Sequence, residues 1–585
     1  MNAKAFRLSL MLLTGLSVMG SSSWAQEDRM FTQQELMQDA RQLASILEQS
    51  HPDPYISGCG KIAFQRRLQN LLQDMPAAGM TAERFYRLLL PFVASLRDGH
   101  TALLAPQTGA PPRPGLPLTF KIIDESLAVA GVVRKDTVDL RGALLLAVEG
   151  VPLRELVQRQ NNLRGMENAN GTLALLTRSL GTERGLQNLL PEWTDPAKTR
   201  LTLRLAGGET RDFIFQRGEG IENAPAEPSS NVRLPAMSQS DVAWNFLDKD
   251  GKTALLKIDD MSTYREACED WIASGMSEGL EMARAAYQKF HGQAAPAHVD
   301  DILAGIPSAT GVFKDLVVAM KRAGTTHLIV DLRENTGGND LMVRILLYFL
   351  FGRESMVSYD KGFQISRYSE LYFQVYANAS LAGLNRNRAV PLKVGDYDFS
   401  DEQARNKGID PAVLLKAAGE SLKGTPTFYK VFNQDLYGNF YRPPHLVVLS
   451  SAWTYSSGFT MLAALEELGA TVVGTPSAHA GNNFGDSLLF QLTNTKLRGA
   501  VSFKQNVTFP DDPDKGRCLR PDIMLTHEKW ASLDFDPNAE VLLALEFLGE
   551  NGESGMRIRF DRGRDDPAVL CAPGAGDAGR CAETD

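Results

Sequence analysis

From about Val242 to Gly549, short apolar runs alternate with longer stretches whose apolar residues recur every three or four positions. Thr253-Ala-Leu-Leu-Lys-Ile258, His327-Leu-Ile-Val-Asp-Leu332, His445-Leu-Val-Val-Leu-Ser450 and Thr471-Val-Val-Gly474 read as buried strands. Phe313, Leu316, Val317 and Met320 share one helical face, as do Phe459, Leu462, Leu465 and Leu468, with Gly469 as the stop. Leu341 to Leu350 forms a further apolar helix. Strands apolar at successive positions need cover on both faces, which crossover helices provide. The alternation therefore predicts an α/β layered domain over 240–550 with a largely parallel sheet. The apolar runs near Leu488 and Val501 are expected to continue the series. A helical, Ala-rich insertion at 276–307 and a polar one at 359–434 interrupt it.

The preceding residues have a different grammar. Residues 26–105 read as a helical domain. Thr32 and Glu35 form a capping-box signature ahead of Leu36, Leu43, Ile46 and Leu47. Phe64, Leu68, Leu71 and Leu72 make a second stripe. A third, from Phe85 to Leu96, ends at Arg97-Asp-Gly-His-Thr101. Past a Pro-rich linker, residues 113–220 predict a small β-rich domain, closed by a hairpin around Gly207-Gly208. A polar boundary covers about 219–240, and 551–585 reads as a flexible tail.

At the N-terminus, Lys4 and Arg7 precede the apolar run Leu8 to Met19 and the small residues of Ser23-Trp-Ala25. This predicts a signal peptide over 1–25, cut after Ala25, and a periplasmic or secreted protein. No cysteine follows the cut to carry a lipid, and no later run is expected to span a membrane. The chain has 61 basic and 70 acidic residues, net −9, and loses Lys4 and Arg7 with the leader. That balance argues against nucleic acid as a partner. Five cysteines suit an exported protein, and Cys571 with Cys581 is the simplest disulfide to expect.

No phosphate-binding loop, dinucleotide fingerprint, Gly-x-Ser-x-Gly elbow or His-Glu-x-x-His occurs, so neither metal nor organic cofactor is expected. Attention falls on the junction between the strand ending at Ser450 and the helix starting near Phe459. A serine there sits where helix amide N–H groups and the dipole favour developing negative charge. It is equally where an N-cap serine belongs. Ser456 and Ser457 are the candidate nucleophiles. Asn335-Thr-Gly337-Gly338, also between strand and helix, offers backbone N–H groups for an oxyanion, or simply a tight turn. Among eight histidines, His100 and His479 lie in loops rich in hydrogen-bonding groups and are the candidate bases. His51, in His51-Pro-Asp-Pro-Tyr55, reads as a turn residue.

Taken in order, these segments resemble the tricorn-core / C-terminal-processing (tail-specific) serine peptidases. Leu328 to Gly338 is similar to that family's Asp-Leu-Arg-x-Asn-x-Gly-Gly segment, and Val447 to Gly474 to its nucleophile strand, helix and following strand. Asp98-Gly-His-Thr101 resembles the histidine motif of its tricorn-like branch, His51-Pro-Asp-Pro-Tyr55 its N-terminal cap, and Gly142 to Pro152 part of a PDZ-like module. The resemblance implies a ClpP/crotonase-like α/β catalytic domain with an N-terminal helical cap and a small PDZ-like β-rich domain. It implies Ser456 as nucleophile, His100 as base, and the Ser457 amide with Gly337 or Gly338 as the oxyanion hole, acting on a protein or peptide. The chain departs from the processing branch in one place. The loop Thr475 to Gly485 holds no lysine, so the serine–lysine dyad is lost and a histidine must activate the serine. His479 remains the alternative base. An acidic residue should orient the histidine; Asp511, Asp512 and Asp514 fall in the expected region.

Two functions follow: an exported serine peptidase, or a catalytically inactive protein on the same fold that binds a peptide tail or apolar ligand. Retention of both Ser456 and Asp98-Gly-His-Thr101 favours the enzyme.

Overall fold

The computed structural model describes residues 29–552, apart from 107–112, 132–133, 194, 196, 217–229, 231, 238, 359–361, 387, 409 and 435–439. The expected leader with its cut after Ala25, the 551–585 tail beyond Gly552, and the Cys571–Cys581 pair lie outside these residues. Among the cysteines within them, Cys59 and Cys268 are free, whereas Cys518 is disulfide-bonded.

Six strands form the central sheet, in the order Val242–Phe246, Thr253–Ile258, His327–Asp331, His445–Ser450, Thr471–Gly474 and Ile523–Met524. The first pair is antiparallel and the rest are parallel. Side chains alternate between faces. Leu256, Val330, Val448 and Val472 enter the core beneath helices Ala309–Ala323, Leu341–Phe351 and Ser457–Glu467. Their neighbours Leu255, Ile329, Val447, Leu449 and Val473 pack with Trp530 and helix Ala539–Gly552 on the other face. Cover on both sides explains why the middles of these strands are apolar at successive positions, with the polar residues mostly at their ends. Val299 to Ala323 is apolar enough in length and composition to resemble a membrane span. It is instead two helices, Val299–Gly305 and Ala309–Ala323. The second starts at Ser308, whose hydroxyl accepts from the Gly311 N–H, and it buries Phe313, Leu316, Val317 and Met320.

The β-rich segment forms its own antiparallel sheet, in the order Thr210–Gln216, Lys198–Arg204, Leu144–Val148, Ser126–Ala130 and Thr119–Ile123, with Val151–Pro152 beside Leu144–Val148. Its hairpin pairs Lys198 with Gln216 through to Arg204 with Thr210, around Gly207-Gly208. Helices Leu153–Leu163, Ala169–Leu180 and Glu183–Leu189 pack into the same core.

One expectation needs correction. The runs near Leu488 and Val501 do not continue the central sheet. Asn482–Gln491 and Arg498–Val507 form a long antiparallel hairpin in a separate sheet, joined by Phe363–Arg367 and Tyr397–Asp398 from the polar insertion and by Ala102–Leu103. The reason is where the apolar residues go. Leu488, Phe490, Val501 and Phe503 share a core with helices Gln33–Ser50, Gly60–Gln73 and Ala82–Ala94. Asp39 fixes this docking by accepting from the Asn494 and Thr495 amides at 2.9 and 2.8 Å. Pairing of Ala102 with Ala500 and of Leu103 with Gly499 then carries the segment containing His100 against the central domain.

Candidate active site

Two loops leave neighbouring parallel strands at the same end and are stitched together. Thr454 Oγ1 donates to the Leu332 carbonyl at 2.9 Å, and the Tyr455 N–H donates to the Asn335 carbonyl at 2.9 Å. Asn335 is buried; its Nδ2 donates to the Ile258 carbonyl at 3.0 Å, and its Oδ1 accepts from the Gly337 N–H at 2.9 Å. Gly337, at φ 103°, lets this loop pass against the serine. A Cβ there would lie 2.5 Å from the Ser456 Cβ. Among the described residues, the Gly338 and Ser457 N–H groups donate no hydrogen bond.

Ser456 occupies the N-cap position of helix Ser457–Glu467, yet its side chain caps nothing. Its backbone sits at φ 50°, ψ −128°, a region that non-glycine residues avoid. The capping role open to it in the sequence is thus not taken. Its Oγ instead lies 3.1 Å from His100 Nε2.

His100 is held by the turn that follows helix Ala82–Ala94. Asp98 Oδ1 accepts from the His100 N–H at 2.9 Å, and Ser487 Oγ donates to the His100 carbonyl at 3.1 Å. Asp98 is fully buried, and its Oδ2 is met by Thr101 Oγ1, by Ser502 Oγ at 2.7 Å and by His51 Nε2 at 3.2 Å. His51 Nδ1 accepts the Asp53 N–H at 3.1 Å, so the Nε2 of a neutral His51 carries the proton directed at Asp98. Burial alone would raise the Asp98 pKa. The His51 hydrogen bond and the neighbouring imidazoles outweigh it and hold the carboxyl down at about 2. His51 is therefore more than a turn residue: it secures the carboxylate that positions the histidine loop.

At the far side of the imidazole, Nδ1 lies 3.2 Å from Tyr455 Oη, and that hydroxyl donates to Glu167 Oε1 at 2.9 Å. Glu167 Oε1 also accepts the Gly99 N–H at 3.1 Å. Asp98 Oδ1 and Glu167 Oε1 are each 3.9 Å from Nδ1. Asp98, His100 and Glu167 are close enough together to resemble a metal-binding group, but Tyr455 Oη already bridges His100 and Glu167. Burial, followed by the charge of Asp98, pushes Glu167 up to about 8, and burial lowers the pKa of His100.

The other candidates lie elsewhere. His479 is buried edge-on to the His100 ring at 5.5 Å, against Tyr455 and Phe459, with Asn483 Nδ2 3.1 Å from its Nδ1. It forms no hydrogen bond with Ser456 among the described residues, and burial drives its pKa well below the usual imidazole value. Asp511 pairs with Arg405 at 2.9 Å, Asp514 with Arg517, and Asp512 caps the short helix Pro513–Arg517. None of the three contacts His100. Lys504 is paired with Asp486, and this charge keeps the ammonium protonated despite burial. Glu167 and Tyr455 were not among the candidates. Tyr455 stands inside the serine motif, whereas nothing near Glu167 in the sequence marks it.

His100, Ser456, Ser457 and His479 line a cleft of about 130 Å³ with Asp340, Arg344, Phe363, Phe459 and Asp486. A serine hydroxyl against an imidazole nitrogen, both lining one cleft, is the arrangement of a serine hydrolase. Residues 298–498 match the sequence model of peptidase family S41. The match marks a serine-type peptidase domain of that family within the chain. No curated protein gives a significant sequence match. Among solved structures the chain is similar to mature CPAF, with a TM-score of 0.52 and 14% identity over 89% of this chain and 98% of that one. It is likewise similar to mature CPAF complexed with lactacystin, with a TM-score of 0.50 and 15% identity over 89% and 99%. At such identities the likeness is one of fold.

Proposed function

We propose that this protein is an exported serine peptidase in which Ser456 is the nucleophile and His100 the base. The observation that carries the reading is the 3.1 Å approach of His100 Nε2 to a serine Oγ that makes no capping bond. As Oγ attacks the scissile carbonyl carbon, its proton passes to Nε2. The C–N bond then breaks, the leaving nitrogen takes that proton, and the acyl group stays on Ser456. Water enters by the same route and releases the acid. The Gly338 and Ser457 N–H groups stabilise the oxyanion; Gly337, whose N–H is engaged by Asn335, serves by close approach.

We further read 240–550 as a ClpP/crotonase-like core, 113–220 as a PDZ-like domain, and 26–105 as a helical cap that delivers the histidine. Residues 1–25 are read as a leader, which N-terminal sequencing of the exported protein would test. The non-catalytic alternative has no support in a site so completely furnished.

The test is covalent labelling by a fluorophosphonate. Wild type should label on Ser456, and Ser456→Ala should not. Labelling of Ser456→Ala at the wild-type rate, or none in folded wild type, would overturn the assignment.

A further inference from the structure

Resting on the serine–histidine reading, we propose that Tyr455 and Glu167 are positioning residues that form a hydrogen-bond relay and fix the tautomer of His100. The geometry allows one consistent chain of donors. Ionised Glu167 only accepts, so it takes the Tyr455 O–H at 2.9 Å and the Gly99 N–H at 3.1 Å. Tyr455 Oη, its proton so directed, accepts from His100 Nδ1 at 3.2 Å. Nε2 is then the unprotonated nitrogen, and it is the one facing Ser456 Oγ. When Ser456 gives its proton to Nε2, the imidazolium charge is met by the Tyr455 oxygen and, beyond it, the carboxylate.

A second feature points the same way. Gly99 is the residue that admits the relay: a Cβ there would meet Tyr455 Oη at 2.3 Å and Glu167 Oε2 at 3.1 Å. Glu167 Oε2 is itself buried without a hydrogen-bond partner. A carboxylate left half-satisfied beside a reactive histidine is costly to keep unless its position matters.

Protonation reverses the chain. A neutral Glu167 can donate to Tyr455 Oη, whose own proton then turns to His100 Nδ1 and leaves Nε2 protonated against Ser456. The groups facing Glu167 are Asp98 and His100 from the histidine loop and Tyr455 from the serine loop. Arg164, from its own loop, is bound to the Gly99 carbonyl at 2.8 Å. His51 stands behind Asp98, and His479 lies against the Tyr455 ring. With Glu167 titrating near 8, the active form grows as pH rises through that value.

The experiment measures the fluorophosphonate labelling rate against pH for wild type, Glu167→Gln and Tyr455→Phe, with thermal unfolding of each. Wild type should gain rate through about pH 8. Glu167→Gln, whose amide would donate to Tyr455, should lose that inflection and at least about tenfold in rate above it. Tyr455→Phe should lose less, because Nδ1 then faces two carboxylate oxygens 3.9 Å away. Folded variants that keep the wild-type rate and pH profile would overturn the relay while leaving Ser456 and His100 in place. An unlabelled wild type would remove both readings together. Should both variants unfold, the 15N shifts of His100 in wild type decide: a protonated Nδ1 above pH 8 supports the relay, and a protonated Nε2 refutes it.

Discussion

His100 Nε2 and Ser456 Oγ lie 3.1 Å apart although 356 positions separate them in the chain. Ser456 is set by the end of a strand in the parallel sheet. His100 is set by a turn that a different sheet, through Ala500 and Ser502, holds in place.

Histidine choice is the first consequence. His100→Ala should lower kcat/KM on a peptide or ester substrate by about a thousandfold or more. His479→Ala removes a buried wall rather than a proton carrier, so it should cost stability and leave most of the turnover. Equal losses in the two variants, measured by steady-state kinetics, would contradict the assignment.

Gly337→Ala places a methyl 2.5 Å from the Ser456 Cβ, at a φ of 103° that alanine resists. The loop has to move away from the serine. Destabilisation of about 1–3 kcal/mol in urea unfolding is expected, with labelling of Ser456 almost abolished.

Asp98 links the site to acid stability. Its folded pKa of about 2 lies below the ordinary 3.8. A depressed carboxyl stabilises the fold above its unfolded pKa, and the stabilisation is lost as pH falls from near 4 towards 2. The shift corresponds to roughly 2 kcal/mol. Asp98→Asn should unfold more easily at neutral pH and flatten this part of the stability–pH curve.

Arg333 is buried between Asp331 and Glu540, each 2.8 Å away, and Lys121 of the β-rich sheet also reaches Glu540. Arg333→Met would leave two buried carboxylates, Asp331 without its partner and Glu540 with Lys121 alone. A loss of about 3–5 kcal/mol in denaturant unfolding is expected. It should exceed the effect of breaking the exposed Arg517–Asp514 pair, which is worth under about 1 kcal/mol.

The parallel sheet could be read directly because its strands are covered on both faces, and so carry apolar residues at successive positions through their middles. The capping box at Thr32 and Glu35 was legible for a local reason, since both hydrogen bonds join residues three apart. The hairpin Asn482–Gln491 with Arg498–Val507 was misplaced because alternating apolar residues show that a face is buried, not what buries it. The Asp511–Asp514 run was a natural place to seek an orienting acid, yet it faces solvent and pairs with Arg405 and Arg517. Glu167 gave no signal: a glutamate one residue before the Asn168 cap of helix Ala169–Leu180 looks like ordinary helix-end chemistry.

By itself, then, the sequence determined the strand–helix order, the serine at a strand–helix junction, the glycine pair beside it and the absence of a lysine in the following loop. These are properties of neighbouring residues, governed by periodicity and backbone freedom. Which histidine meets Ser456, and what lies behind it, was decided only by tertiary packing. Burying Leu488, Phe490, Val501 and Phe503 against the N-terminal helices brings Asp98 and His100 to the serine. The loop at Glu167 then closes over them, converting four distant segments into one hydrogen-bonded site.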